Sequence, residues 1–541
     1  MVKGAKLQKS SFYSSPLHDF LTPFKPAQNQ WVARYIIIIF AAIIRYAVGL
    51  GSFSGFKTPP MYGDFEAQRH WLEITINLPL KDWYFYDLNY WGLDYPPLTA
   101  YHSWIFGKIG SFFCNEEWFK LGVSRGYEDL TLKSYMRFTS LVSELFFLFP
   151  WVILITRWFG RNNGQSPIDQ TCIAAAILFQ PCLIIIDHGH FQYNSVMLGL
   201  ALASFVNLLY DNYELSSIFF VLSICFKQMS LYYAPFIFSY LLSLCVIDLK
   251  HFKINLPRLV SIGSSVTWTL FMVFLPFLIY GNGLKTDIGQ ILYRVFPFDR
   301  GIFEDKVANF WCTTNIFIKY REIFSVDQLK KLSILLTLIG FLPCCILIFI
   351  QKKIDNSKKI LLLYGFAITS WSFYFFSFQV HEKSVLVPLL PTILLLVDND
   401  PNVISMICWI SNICYFSLWP LLKKDGLVLQ YYVLFILSNW LIGNLNWISK
   451  LLPNSVIPGP TLTIKLKSKS IIMALPNNFL WRVIIIGSYI ACGVIHFLEI
   501  FYNPPKRYPD LFVIGNITLS FCCFVIFWVW LHYKMIQLSK A

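Results

Sequence analysis

Charge is what this chain has least of. Asp, Glu, Lys and Arg fill 14% of its positions, against about 25% in an ordinary globular domain, which excludes a water-facing fold as the main body. Metal-type cysteine spacing is missing too. The thirteen cysteines lie mostly inside apolar runs (Cys172, Cys182, Cys225, Cys245, Cys344, Cys345, Cys522, Cys523), with no CxxC pair, so buried thiols are expected rather than a zinc site or a disulfide framework. The N-terminus carries Lys3, Lys6 and Lys9, but no apolar core follows for about twenty residues. A cleavable signal is therefore not expected, and the first span should stay as an anchor. Neither a soluble domain nor an internal repeat is visible.

What is there is apolar. Hydrophobic residues make up 56% of the chain and aromatics 18%, with 51 Phe. They gather in runs of roughly 18 or more residues, the signature of an all-α polytopic membrane protein. The runs predict helices near 33–52, 133–157, 169–186, 193–210, 214–227, 229–247, 258–280, 332–350, 360–378, 384–397, 402–419, 428–447, 482–501 and 511–532, or about fourteen spans by length. Residues 214–247 read as one long helix or as two joined at Lys227 and Gln228. The formal charge of +14 does not point to nucleic acid, because the basic residues cluster in short loops between runs, as the positive-inside rule requires.

Loop charge also decides the run 98–113, which has a Pro-Pro start, His102, Lys108 and two Gly. If it stays on the outer side, the basic loops all fall on one side: the N-terminus, 157–161, 250–258, 352–359, 450–469 and 534–540. Every polar knot then falls on the other side. We take 98–113 as an outer-face or re-entrant helix and both termini as cytosolic. The first outer loop, 53–132, is longer than packed connections usually are, which marks it as functional.

Five knots could carry chemistry. Asp64 and Glu66, with Arg69 close by, follow the first span. They read either as solvated acids at a helix N-terminus or as a general base for a sugar hydroxyl with its neighbours. Asp94 sits among aromatic rings, a mixture that suits carbohydrate. The stretch DHGHFQYN at 187–194 offers Asp187, His188, His190, Gln192 and Asn194, as a substrate loop, a helix-end polar network or a weak metal pattern. Lys227 and Gln228 interrupt an apolar region, where a cation is a functional candidate by default and snorkelling the bland alternative. Glu304, Asp305 and Lys306 read as a lid or as an amphipathic surface helix. His381, Glu382 and Lys383, wedged between two apolar runs, suit an anionic phosphate.

Taken in order, YGDFEAQRHW at 62–71, WGLDYPPLT at 91–99, DHGHFQYN at 187–194, GIFEDKVANFW at 301–311, VHEK at 380–383 and LKKDG at 422–426 resemble one family. It is the dolichyl-phosphate-glucose-dependent glucosyltransferases of asparagine-linked glycosylation, and the likeness runs from about Ser11 to the last span. The resemblance implies a GT-C fold in the endoplasmic reticulum membrane with a lumenal active site. It implies a GT-C module over 1–281, a lumenal loop over the site at 282–331 and a C-terminal membrane module over 332–541. It further implies Asp64 as the catalytic carboxylate, dolichyl phosphate glucose as donor, a nine-mannose lipid-linked oligosaccharide as acceptor, and inverting α-1,3 transfer. The other knot residues are then expected to bind substrate, with no metal and no cofactor. No oligomeric state is specified.

Three rivals follow. One is a sister transferase adding the second glucose, or a mannosyl enzyme of the same fold. Another is a flippase or transporter, which should show paired broken helices in two related halves. The third is a scaffold, which has little use for acids and imidazoles on one side.

Overall fold

The structure is a computed structural model that describes residues 15–248, 251, 253–296, 305–351, 354–445 and 475–540. Lys3, Lys6, Lys9, Glu304 and the basic linker 450–469 lie outside the described residues. Helix dominates, and each expected run falls on helical structure. Among the described residues the only strands form a small antiparallel pair, Val246–Asp248 with Lys253–Ile254.

Among the described residues seven helices are long and apolar enough to cross a membrane alone, including Gln30–Gly49, Leu256–Tyr280, Val326–Gln351 and Leu511–Lys540. Their depth in the bundle differs. Asn356–Phe376 has 83% of its apolar window buried against neighbours, whereas Phe479–Phe501 has 17%. The first is therefore a central post, and the second turns Ile486, Ile490 and Phe497 outward, as a lipid-facing helix does. Leu130–Asn162 runs 33 residues, about 50 Å at 1.5 Å per residue, and so overshoots a hydrocarbon core. It breaks at Leu148, just before Pro150 in the first turn of its second half.

One open alternative and one departure from the expected boundaries have local causes. The 214–247 region is two helices, Tyr213–Phe226 and Ala234–Cys245. Lys227 between them is extended, at φ −149° and ψ 123°, and Pro235 opens the second helix, where a missing N–H costs nothing. The run at 384–397 is helical only over Leu386–Leu394, flanked by tighter turns.

The segment 53–132 contains two helices, Asp64–Asn77 and Pro97–Phe113, packed on one another. Asp64–Asn77 is buried continuously from Phe65 to Thr75 although it carries Glu66, Arg69, His70 and Glu73. Charge at such depth must be paired, and it is. Arg69 donates two 2.7 Å hydrogen bonds to Glu66, a third to Glu73, and others to the Trp118 carbonyl and Ser124. Pro97–Phe113, at 17 residues, is shorter than the spans. The helix Leu284–Val295 clamps this loop from the far side: Arg294 donates to the Gly92 and Leu93 carbonyls at 3.0 Å, and Gln290 to the Tyr84 carbonyl at 2.9 Å.

Candidate active site

Asp64 stands at the first position of its helix because the backbone before it is pressed flat against the preceding turn. A side chain on Gly63 would bring its Cβ within 2.6 Å of Ser54 Oγ, and Gly55, at φ +77°, would collide with Gly63 in the same way. The Asp64 backbone N–H donates to Ser54 Oγ at 3.2 Å. Phe53 and Phe65 stack alongside at 4.1 Å. Two glycines thus let the loop double back at the end of the first span and set one carboxylate at its mouth.

Three donors from two distant segments converge on a single oxygen of that carboxylate. His190 Nε2 lies 2.8 Å from Asp64 Oδ2, Gln192 Nε2 donates to it at 2.5 Å, and Lys383 Nζ makes a short ion pair with it. Oδ1 has no hydrogen-bond partner among the described residues. Behind the imidazole, His190 Nδ1 lies 2.5 Å from Asp425 Oδ2. Asp64 and Lys383 each keep about a fifth of their side chains exposed, at 22% and 20%, while His190 keeps 2%. The cluster is therefore open on the Asp64–Lys383 side and closed behind.

The electrostatics follow from that arrangement. Burial alone would push the Asp64 carboxyl up; the Lys383 ammonium, then the hydrogen bond and charge of His190, override it and hold the group well below the usual carboxylate range. Burial opposes the charge on Lys383, but Asp64 beside it, with Glu382 and Asp305, raises the ammonium above its ordinary value. Both groups are ionised at neutral pH, and together they form a compact, charge-balanced site beside an apolar bundle.

With this geometry in view, comparison with known proteins is decisive. The ALG6, ALG8 glycosyltransferase family matches residues 39–533. The chain belongs to that family. It is 54% identical over 533 residues to the dolichyl pyrophosphate Man9GlcNAc2 alpha-1,3-glucosyltransferase of Saccharomyces cerevisiae, covering 98% of this chain and 96% of that protein. It is 44% identical to the probable enzyme of the same name from Schizosaccharomyces pombe, over 97% and 96% of the two chains. The enzyme of that name from Gallus gallus is 38% identical over 95% and 98%.

In this glycosyltransferase the loop bearing His190 is a π-turn, Ile186–Phe191, a distortion frequent at functional sites. Phe191 at φ +90° adds backbone strain of the kind that persists only when its surroundings enforce it. Those surroundings absorb two residues expected to bind substrate. Asp187 accepts from the backbone N–H groups of Asn194 and Ser195, at 3.2 and 2.6 Å, and so caps the next helix. His188 lies 2.6 Å from Glu144, which is itself gripped by Arg45 at 2.6 and 2.7 Å. Both side chains point into the frame and away from the opening at Asp64, because a buried polar side chain takes the partner within reach.

The same correction applies to Glu66 and Arg69, which saturate one another inside the first loop, with Tyr90 Oη donating to Glu66 at 2.9 Å. It applies also to Lys306, which forms an exposed ion pair with Asp510. Gln228 donates to the Val295 carbonyl at 3.1 Å and ties two loops together. By contrast Gln192, Asn194 and Lys227 join the cluster. Lys227 Nζ reaches Asn194 Oδ1 at 2.7 Å and Gln192 Oε1 at 3.3 Å, over the Tyr95 ring at 4.5 Å. Gln192 so bridges Lys227 to Asp64. Half-buried Asp94 acts electrostatically on the same ammonium. At the rim, His381 pairs with Asp305, both partly exposed. Burial and then Asp305 push the adjacent Glu382 carboxyl up.

Sequence reasoning missed Asp425, Arg45, Arg137 and Glu144. Arg137 donates to the Gly189 carbonyl at 2.6 Å and the Ser52 carbonyl at 3.1 Å. The signal existed for three of them: an ionisable residue inside an apolar run is a functional candidate, and the rule that singled out Lys227 covers Arg45, Arg137 and Glu144 equally. Asp425 stood in a quoted motif directly after two lysines, Lys423 and Lys424, where nothing local distinguished it from a solvated charge.

Proposed function

We propose that this chain transfers glucose from dolichyl phosphate glucose to Man9GlcNAc2-PP-dolichol, in α-1,3 linkage with inversion, at the lumenal face of the endoplasmic reticulum membrane. Family membership and the names of its relatives support the acceptor and the linkage. The donor reading rests on cations at the mouth of an apolar bundle, the chemistry that a lipid-linked phosphate requires. The observation that carries the mechanism is the one-sided bonding of Asp64: three donors fix Oδ2, and Oδ1 has no partner among the described residues.

In this mechanism Asp64 Oδ1 accepts the proton of the 3-hydroxyl of a terminal mannose. That oxygen bonds to C1 of glucose as the bond from C1 to the phosphate oxygen breaks, and the electron pair leaves on dolichyl phosphate. One base suffices, since phosphate departs without the protonation that a glycosidase must supply. Lys383, with His381 at the rim and Lys227 deeper, stabilises the charge that develops on the leaving phosphate. Asp94, Gln192, Asn194 and Asp305 orient the sugars. Both termini are cytosolic.

Purified protein in lipid nanodiscs tests this directly. Supplied with dolichyl phosphate glucose, it is expected to lengthen the nine-mannose acceptor by one hexose and to leave an acceptor already carrying one glucose unchanged. Transfer only to the glucosylated acceptor would select the sister reaction.

Lys383→Met carries a prediction with a definite sign. A leaving phosphate that loses its closest cation should slow turnover about a hundredfold. Without the ammonium, the largest influence that lowers Asp64 is gone while burial still raises it, so its carboxyl protonates at a higher pH than in the native protein. The acid limb of the pH–rate profile should therefore move to higher pH, as activity depends on ionised Asp64. An unmoved acid limb would remove Lys383 as the partner of the base. His381→Ala, at the exposed rim, should mainly raise the donor KM, by about tenfold. A selective rise in acceptor KM would contradict its placement at the phosphate.

A further inference from the structure

The cluster contains a second carboxylate that the mechanism above does not use. Asp425 is 7% exposed and never touches the open side of the site. It reaches Asp64 only through His190, whose ring nitrogens face the two acids at 2.5 and 2.8 Å. We propose that Asp425 is a positioning residue for the base: through His190 it pins Asp64 Oδ2, so that Oδ1 alone faces the acceptor hydroxyl. This rests on the reading of Asp64 as the base.

The chemistry of the bridge explains why a second acid is needed. An ionised carboxylate only accepts hydrogen bonds, so an imidazole serving two of them must present N–H at both nitrogens. Asp425 keeps the proton on Nδ1, and Nε2–H then points at Asp64. The nearby Lys383 ammonium opposes charge on this ring, and the two carboxylates bonded to it outweigh that repulsion. Lys383 Nζ lies 3.2 Å from Nε2 but is itself a donor and closes on Asp64. Arg137 holds the carbonyl just before His190 and packs over the Phe191 ring just after it, at 5.3 Å.

Both ends of the bridge are fixed by backbone. The His190 carbonyl accepts from the Ser54 N–H at 3.0 Å, and Ser54 Oγ accepts from the Asp64 N–H. Imidazole and carboxylate are thus tied to one another twice, once by side chain and once through Ser54. At the far end the helix Trp419–Lys424 stops in a tight turn, with Gly426 at φ +73°, a conformation that glycine adopts freely. The turn sends Asp425 inward, while Lys423 pairs with Glu499 at the surface. A sugar-binding role for His190, expected from sequence, leaves no nitrogen to bind sugar, since both are engaged and the ring is buried.

The test compares Asp425→Asn, His190→Gln, their combination and Asp425→Glu in the full-length protein in nanodiscs, reading kcat and both KM values. An orienting carboxylate acts on the reacting geometry and not on substrate affinity. Asp425→Asn is therefore expected to lower kcat about ten- to a hundredfold with both KM values within about threefold of native. Asp425→Glu should recover part of that loss. The double variant should be no slower than His190→Gln alone, since the two side chains act as one unit. A native kcat in Asp425→Asn, a loss confined to KM, or losses that multiply in the double variant would overturn the proposal. If Asp425→Asn does not accumulate, His190→Gln tests the same contact while leaving Asp425 in place. Turnover in Asp64→Asn would instead remove the base reading itself, an outcome distinct from an inactive Asp64→Asn beside a native Asp425→Asn.

Discussion

Asp64→Asn should lower glucose transfer about a thousandfold while the protein still folds and binds donor. The substitution keeps the shape of the side chain and one hydrogen-bonding oxygen, but removes the carboxylate proposed to take the acceptor proton. Loss of a positioned general base costs about a hundred- to ten-thousandfold. Two neighbours make the charge indispensable. Lys383 and His190 both direct donors at Oδ2, and the amide can satisfy neither with equal strength, since hydrogen bonds to an ionised acceptor are about twice as strong as neutral ones. Unfolding temperature and donor binding, measured beside turnover, separate lost chemistry from lost structure. Near-native turnover in well-folded protein would take Asp64 out of the base role.

The largest effect on stability should come from Arg45→Met. Arg45 and Glu144 are both wholly buried, on the helices Gln30–Gly49 and Leu130–Phe147, and meet in a two-pronged contact at 2.6 and 2.7 Å. Arg45 also donates to the carbonyls of Ala41 and Leu178, at 3.2 and 3.0 Å, so it binds three helical segments at one point. Removing the guanidinium strands the Glu144 carboxylate with only His188 for company. Breaking a buried pair in this way costs about 3–5 kcal/mol, whereas replacing both partners with apolar groups is often close to neutral. Arg45→Met should lower the unfolding temperature and the yield of folded protein, and Arg45→Met with Glu144→Met should recover much of both. A single variant as stable as the native chain would show that the pair does not hold the bundle.

His188 gives that pair a second role. It leaves the π-turn two residues before His190, so the contact that joins the spans also sets the height at which His190 meets Asp64. Stability and chemistry are linked here through one short segment.

Much of this was legible in the chain, and the reasons differ by element. Apolar runs located the helices because hydrocarbon demands continuous helix of known length. The run at 98–113 is a helix, Pro97–Phe113, packed on Asp64–Asn77. The four segments carrying Asp64, His190, Lys383 and Asp425 meet in one cluster. What the sequence could not convey is which buried charge would choose which partner. Glu66 and Arg69 look like site residues by position, yet their spacing of three along a helix lets them close on each other. Asp187 and His188 likewise sit beside His190 in sequence, but a π-turn sends neighbours in different directions. Asp425 contacts a residue 235 positions away, and no local pattern encodes a contact of that range.

The central claim is that these scattered groups form one pocket for a lipid-linked phosphosugar. An experimental structure of Asp64→Asn with dolichyl phosphate glucose bound tests it most directly. The account predicts the phosphate within about 4 Å of Lys383 Nζ, an ion-pair distance, with glucose C1 turned toward residue 64 and the lipid chain leaving between helices. A phosphate bound away from Lys383 and His381, with the 64–190–425 cluster empty, would contradict it.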